Sequence, residues 1–178
     1  MNVISAGGVV YRISNGNYEI KLITTKAWKY TLPKGRVENS DSVEDTAIRE
    51  VKEEAGVDAT IDASLGSIEW KIRSGAGVKT VFLFLMKCIN DGPVNDPDNE
   101  ILSAEWKSLD EAIELVDFPP MKKIVISAAR LLDSKKSHLC AHCFNEEFIF
   151  LNWCKSCLIE AQDALEKRHI KKYNKGSK

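Results

Sequence analysis

Three carboxylates crowd into "REVKEEAGV" (49–57): Glu50, Glu53 and Glu54. On a helix they are related by i, i+3 and i+4, so their side chains share an arc of roughly 100° and repel one another. Hard divalent cations such as Mg²⁺ take several oxygen ligands together with substrate phosphates, and clustered carboxylates supply the compensating charge. The repulsion then marks a metal site. The alternative is a solvated acidic face, since each like-charge neighbour on an exposed helix costs only about 0.2–0.5 kcal/mol. Val43, Ala47, Ile48, Val51 and Ala55 fill the adjoining arc and are expected to face a core, placing the carboxylates at the edge of the buried side.

A second constellation lies near the other end of the chain. "CAHCFNEEFIFLNWCKSC" gives Cys140-x2-Cys143-x10-Cys154-x2-Cys157, four of the five cysteines. Two C-x-x-C turns at the ends of a short hairpin can direct four thiolates at one tetrahedral Zn²⁺, which would order a segment too small to have its own core. A structural zinc-ribbon or treble-clef-like module is expected there. A redox dithiol would want a thioredoxin-like βαβ setting, and none is evident. His138 and His142 can ligate zinc, but four cysteines already complete the shell. Cys88, in "VFLFLMKC", reads as a strand residue near the core. Beyond the cysteines, Lys167, Arg168, Lys171, Lys172, Lys175 and Lys178 form a basic end suited to contact with RNA or DNA phosphates, or simply to solvation.

The elements that must position these groups follow from the pattern between them. "VISAGGVVYRI" and "YEIKLITT" flank the turn signal Asn15-Gly16 and predict an opening β-hairpin. Pro33 and Gly35 punctuate the segment before Ser42, which with Asp45 three residues on resembles a capping box; "SVEDTAIREVKEEA" then reads as a helix stopped by Gly56. "VDATIDASLGSIEWKIR" and "VKTVFLFLMKCI" predict a second hairpin, "NDGPVNDPDNE" (90–100) a turn-rich loop, and "ILSAEWKSL" a further strand. "DEAIELV" and "MKKIVISAARLL" read as helices separated by Pro119 and Pro120. "DSKKSH" (133–138) is a polar joint, so a domain of residues 1–133 is expected, followed by the zinc module over 138–178.

Bulk properties narrow the function classes. A chain of 178 residues with 44% hydrophobic content can close one core and carry a small appendage. The net charge of −1 gives no whole-chain case for wrapping nucleic acid or lying on an acidic membrane. No apolar run reaches the roughly 18 residues of a membrane span and no basic leader is evident, so a cytoplasmic protein without membrane contact is expected.

"GRVENSDSVEDTAIREVKEEAGV" (35–57) resembles the signature of the Nudix hydrolases, G-x5-E-x7-R-E-U-x-E-E-x-G-U with U apolar. Gly35, Arg49, Glu50, Val51, Glu53, Glu54, Gly56 and Val57 match, and Asp41 stands where the family has Glu. "SAGGVVYR", "TLPKGRVE" and "AEWKSLDEA" extend the resemblance over about residues 3–133. It implies an α+β fold, an α/β/α sandwich with a mixed sheet packed between helices. It also implies a pyrophosphohydrolase in which Glu50, Glu53 and Glu54 bind Mg²⁺ or Mn²⁺, helped by a backbone carbonyl near Lys34 or Gly35, while Arg49 holds a carboxylate in place. A further glutamate from outside the signature is implied, with Glu105 the first candidate and Glu100 the second. Lys34 and Arg36 are placed to meet phosphate oxygens. Trp28, Tyr30 and Phe118 lie in or beside loops where they can stack on a base, although a core role is the competing reading. "EW" followed by "DFPP" is similar to nucleotide-pool cleaning members, and "LPKG" to dinucleoside and diphosphoinositol polyphosphate members. The expected substrate is a small nucleotide with a linked diphosphate, such as a dinucleoside polyphosphate. The alternative is a nucleotide- or nucleic-acid-binding protein with little turnover.

Overall fold

The computed structural model describes residues 2–38, 40–72 and 77–136. Among the described residues, seven strands and three helices run in the order β1 (Val3–Ser14), β2 (Asn17–Thr25), β3 (Tyr30–Thr31), β4 (Lys34–Arg36), α1 (Val43–Ala55), β5 (Val57–Lys71), β6 (Val78–Asp91), β7 (Ile101–Ser108), α2 (Leu109–Leu115) and α3 (Pro119–Lys136). The strands form one mixed sheet, with β3-β2-β1-β6-β5 as its main path, β4 paired to β1 and β7 to β2. The expected hairpins are both present. Asn15 and Gly16 take positive φ values of 49° and 75°, the pairing a two-residue turn needs to match the twist of its strands.

β1 is the middle of the sheet. It runs parallel to β6, from Val3↔Lys79 to Tyr11↔Lys87, and antiparallel to β2. Ser5 to Tyr11 are buried without interruption, as a strand covered on both faces requires. β4 was not evident as a strand in the sequence. It pairs Ser5↔Arg36, Ala6↔Gly35 and Gly7↔Lys34, and it approaches so closely that a Cβ at Gly7 would overlap the Pro33 carbonyl oxygen.

α1 begins where its sequence says it should. The Ser42 hydroxyl oxygen accepts from the Asp45 amide at 3.0 Å, while the Asp45 carboxylate takes the Ser42 hydroxyl at 2.6 Å. Gly56 ends it at φ 70°, its amide donating to the Lys52 carbonyl at 3.1 Å. Ala47, Val51 and Ala55 pack against Val10, Phe84 and Met86, and full burial of a side chain such as Val51 contributes about 1.5–3 kcal/mol. Ile48 departs from expectation and is 40% exposed. At about 100° per residue it stands a quarter-turn beyond Ala47, on the side away from β4. The buried arc instead extends the other way, over Thr46 and Glu50.

The Ser108 and Glu111 side chains close a full capping box at the start of α2. α3 starts at Pro119, where a missing amide hydrogen costs nothing, and buries Met121, Ile124, Val125 and Ala128. It continues to Lys136, through the first residues of the polar segment expected to join two domains. Residues Met1–Arg130 make one compact unit. Among the described residues no helix is long and apolar enough to cross a membrane.

Candidate active site

The three signature glutamates have different surroundings because β4 runs beside α1. Glu50 is only 8% exposed and its carboxylate lies against the β4 backbone: a Cβ at Gly35 would overlap the Glu50 carboxyl group. Glu54 is fixed by the Lys34 backbone amide, which donates to its Oε2 at 2.7 Å. Glu53 is held from its own helix, by Arg49 Nη1 at 3.0 Å.

Arg49 does more than the simple i,i+4 pair. Nη1 also lies 2.7 Å from Glu50 Oε1, and Nη2 donates to the Arg36 carbonyl oxygen at 3.3 Å. One guanidinium thus bridges two of the three carboxylates and ties the helix to β4. Its Nε is buried without a hydrogen-bond partner, 3.7 Å from Asp41 Oδ2. Burial works against the Arg49 charge, but Glu50 and Glu53 outweigh it and raise its pKa. Burial pushes the Glu50 carboxyl up; Arg49 offsets part of this, while Glu53 and Asp98 add to it. Glu54 is pushed up to about 7, first by burial, against the pull of Lys34 and with further push from Glu50 and Asp96.

These groups line a cavity of about 750 Å³. Its other acidic side is the loop 92–100, which contributes Asp96, Asp98 and Glu100. The loop is tied down along its length. The Gly92 amide donates to the Gly56 carbonyl at 2.8 Å, the Asn95 amide to the Glu53 carbonyl at 3.0 Å, and the Ile101 amide to Asp96 Oδ2 at 2.7 Å. The Glu100 carbonyl accepts from the Lys26 amide at 2.9 Å. Asp96 and Asp98 are not among the site residues expected from the sequence, although a loop so dense in carboxylates beside a glutamate helix is itself a signal.

Of the two candidates for an additional glutamate, Glu100 lines the cavity. Glu105 is not among the lining residues; on β7 it pairs with Lys107 at 2.6 Å and accepts from Ser103 at 3.0 Å, and the Lys107 hydrogen bond lowers its pKa. Lys34 and Arg36 line the cavity, as does Lys79, which the sequence did not single out. Trp28 does not; it sits in the 26–29 turn at φ 57° and is 80% exposed, which removes the core alternative for it. Tyr30 and Phe118 line a separate, mainly apolar hollow of about 450 Å³ with Pro119, and Phe118 meets the Trp70 ring edge-on at 5.2 Å.

The donor set of the cavity is all oxygen, which suits a hard divalent cation. Among the described residues, no three His, Cys, Asp or Glu side chains are already gathered as a metal cluster, the Arg49 guanidinium standing between Glu50 and Glu53. Cys140, Cys143, Cys154 and Cys157, with His138 and His142, lie outside the described residues.

A mixed sheet with a glutamate helix laid beside a glycine-bearing strand frames this site, and likeness to known proteins gives its family. The model of the NUDIX domain matches residues 4–128, so the chain belongs to the Nudix family. It is 36% identical over 118 residues to the asymmetrical bis(5'-nucleosyl)-tetraphosphatase of Sus scrofa, covering 59% of this chain and 73% of that protein. It is 34% identical over 114 residues to the chloroplastic Nudix hydrolase 21 of Arabidopsis thaliana, covering 61% of this chain and 57% of that one. Among solved structures, the binary complex of a C. elegans Ap4A hydrolase superposes with a TM-score of 0.65 at 27% identity, over 74% of this chain and 98% of that chain. The chain spans about half the length of several curated relatives it matches.

Proposed function

We propose that the chain is a metal-dependent hydrolase that cleaves a pyrophosphate linkage in a nucleoside diphosphate-linked substrate, with dinucleoside polyphosphates as the leading class. One observation carries this reading: Glu50, Glu53 and Glu54 converge with Asp96, Asp98 and Glu100 on a single cavity that also holds Lys34 and Arg36. The names of the Sus scrofa tetraphosphatase and the C. elegans Ap4A hydrolase support the substrate class.

Nudix hydrolases generally use Mg²⁺ or Mn²⁺, and Glu50, Glu53 and Glu54, with a carbonyl near Gly35, are the groups that would hold such ions here. When bound, they polarise phosphoryl oxygens and lower the pKa of water. The chain's own residues do the rest. Arg49 fixes the orientation of Glu50 and Glu53, and the Lys34 amide fixes that of Glu54. A carboxylate of this group takes the proton of the attacking water. Lys34 and Arg36 meet phosphate oxygens, Trp28 offers an exposed ring for stacking, and Glu100 is better placed than Glu105 to add a carboxylate. The four clustered cysteines are assigned a structural Zn²⁺.

The test is a panel of nucleotides, nucleotide sugars, dinucleoside polyphosphates and 5′-triphosphate RNA, assayed for phosphate or nucleotide release with Mg²⁺ and Mn²⁺. Release from a dinucleoside tetraphosphate supports the reading; no release from any member with either metal sinks it.

A further inference from the structure

The bonds from Gly92 to Gly56, from Asn95 to Glu53 and from Lys26 to Glu100 run backbone to backbone, so a change of side chain in the 92–100 loop leaves them in place. The bond that closes the end of the loop is different. It depends on the Asp96 carboxylate, whose Oδ2 accepts from the Ile101 amide at 2.7 Å. The Asp96 carbonyl also accepts from the Asn99 amide at 3.2 Å, which makes 96–99 a tight turn with Pro97 at its second position. Asn99 stands at φ 50°, a left-handed conformation that asparagine tolerates better than most residues. Asp98 and Glu100 therefore alternate with the two amides that Asp96 holds.

Both carboxylates line the cavity together with Glu50, Glu53 and Glu54. Burial raises the Glu50 and Glu54 carboxyls, and Asp98 adds to the first and Asp96 to the second, so the loop lies within electrostatic reach of the helix. Like charges at that range push the loop away from the helix unless bonds hold it. We propose that Asp96 is a positioning residue for the pyrophosphohydrolase reaction: by holding the Ile101 amide, its carboxylate keeps Asp98 and Glu100 presented to the cavity where Glu50, Glu53 and Glu54 meet the divalent cation. This rests on the hydrolase reading above and deepens it. One Asp96 oxygen is committed to Ile101, so the residue acts through the loop. A misplacement of about 1 Å in such a constellation can cost about a hundredfold in rate.

The experiment compares the full chain as wild type, Asp96→Ala and Asp96→Asn, with thermal melting as a fold control. Where the Ala variant does not melt cooperatively, Asp96→Leu, of similar shape to Asn and without an acceptor, takes its place. The readouts are exchange of the Ile101 amide by NMR, Mn²⁺ affinity by calorimetry, and kcat and KM on a dinucleoside tetraphosphate. In Asp96→Ala the Ile101 amide should exchange about tenfold faster, Mn²⁺ should bind about tenfold more weakly, and kcat should fall about tenfold with KM changing less. Asp96→Asn, whose side-chain oxygen still accepts, should restore most of each. Asp96→Ala should add little to a chain already carrying Asp98→Asn and Glu100→Gln, because those are the groups it acts through. Ile101 equally protected in the Ala variant, faster exchange with Mn²⁺ affinity and kcat unchanged, or an undiminished further loss in the Asp98→Asn, Glu100→Gln chain would each overturn the assignment. So would an Asn variant as impaired as Ala with Ile101 still protected, which would make Asp96 a ligand. Mn²⁺ affinity that follows Ile101 protection across the variants, in a chain that cleaves no nucleotide, would uphold the loop's role and sink the hydrolase reading instead.

Discussion

The Glu53 carbonyl oxygen accepts a hydrogen bond from the Asn95 amide at 3.0 Å. Through it, the helix that carries Glu50, Glu53 and Glu54 is joined to the loop that carries Asp96, Asp98 and Glu100. The bond uses one of the carbonyls that a helix leaves free at its C-terminal end, so it adds order without disturbing the helix itself. Substituting the Glu53 side chain therefore leaves this backbone tie in place.

Glu53→Gln is expected to abolish Mg²⁺-dependent turnover while the protein melts within a few degrees of wild type. The change keeps the shape and removes the charge needed beside a cation. Steady-state rates and circular dichroism check it, and undiminished turnover would count against the site.

Asp41 is one methylene short of the residue expected at its place, and Arg49 Nε is left 3.7 Å away without a hydrogen bond. Asp41→Glu should close that gap and raise the melting temperature by about 2–5 °C, the effect of a single added bond of roughly 1 kcal/mol. A melting temperature that stays put or falls would show that the loop bearing Asp41 cannot make use of the longer reach.

Glu54 has a pKa of about 7 in the fold against 4.5 for a free glutamate, chiefly through burial. A raised pKa means that the folded state binds the extra proton: the contribution to stability is complete below about pH 4.5 and is lost as pH rises through about 7. In chelator, the urea midpoint should fall between pH 5 and pH 8, and Glu54→Gln should flatten that slope. Mn²⁺ affinity should rise over the same window, because the ligand form is the ionised one. Parallel slopes for wild type and variant would remove Glu54 as the cause.

Asp91 pairs with Lys21 Nζ at 2.8 Å and accepts from Trp106 Nε1 at 2.7 Å, joining β6, β2 and β7. The Lys21 side chain is only 7% exposed. Asp91→Ala should destabilise the protein by about 3 kcal/mol, because it strands a buried ammonium group, and Lys21→Met in the same background should recover most of that. Urea unfolding of the single and double variants decides; an Asp91→Ala chain of wild-type stability would remove the pair from any structural role.

Metal analysis of the purified chain should find about one zinc per molecule, lost together in Cys154→Ser and Cys157→Ser. Retention of zinc by both variants would rule out the four-cysteine ligand set.

Local signals were legible in the sequence because their causes are local. Asn15-Gly16, Ser42 and Gly56 act through neighbours a few residues away, and the shared face of Glu50, Glu53 and Glu54 follows from helical pitch alone. The strand β4 was not legible, since its three residues follow a proline and acquire their conformation from β1. Its presence tips the buried arc of α1 toward Glu50 and leaves Ile48 outside, which no periodicity within the helix could reveal. Lys79 and Asp98 were missed for a similar reason: a strand lysine and a loop aspartate become part of a site only when the sheet and the loop meet over the helix. Glu105 looked suitable beside Trp106, but its carboxylate is taken up by Lys107 and Ser103.

The parallel pairing of β1 with β6 joins positions as far apart in the chain as Val3 and Lys79. On a ribosome the first hairpin, finished at Thr25, must therefore wait, one flank uncovered, until the more than fifty residues before β6 at Val78 have been synthesised. Closure of that long loop is the slow entropic step, which makes assembly of this sheet late, cooperative and dependent on protection of its first-made strand.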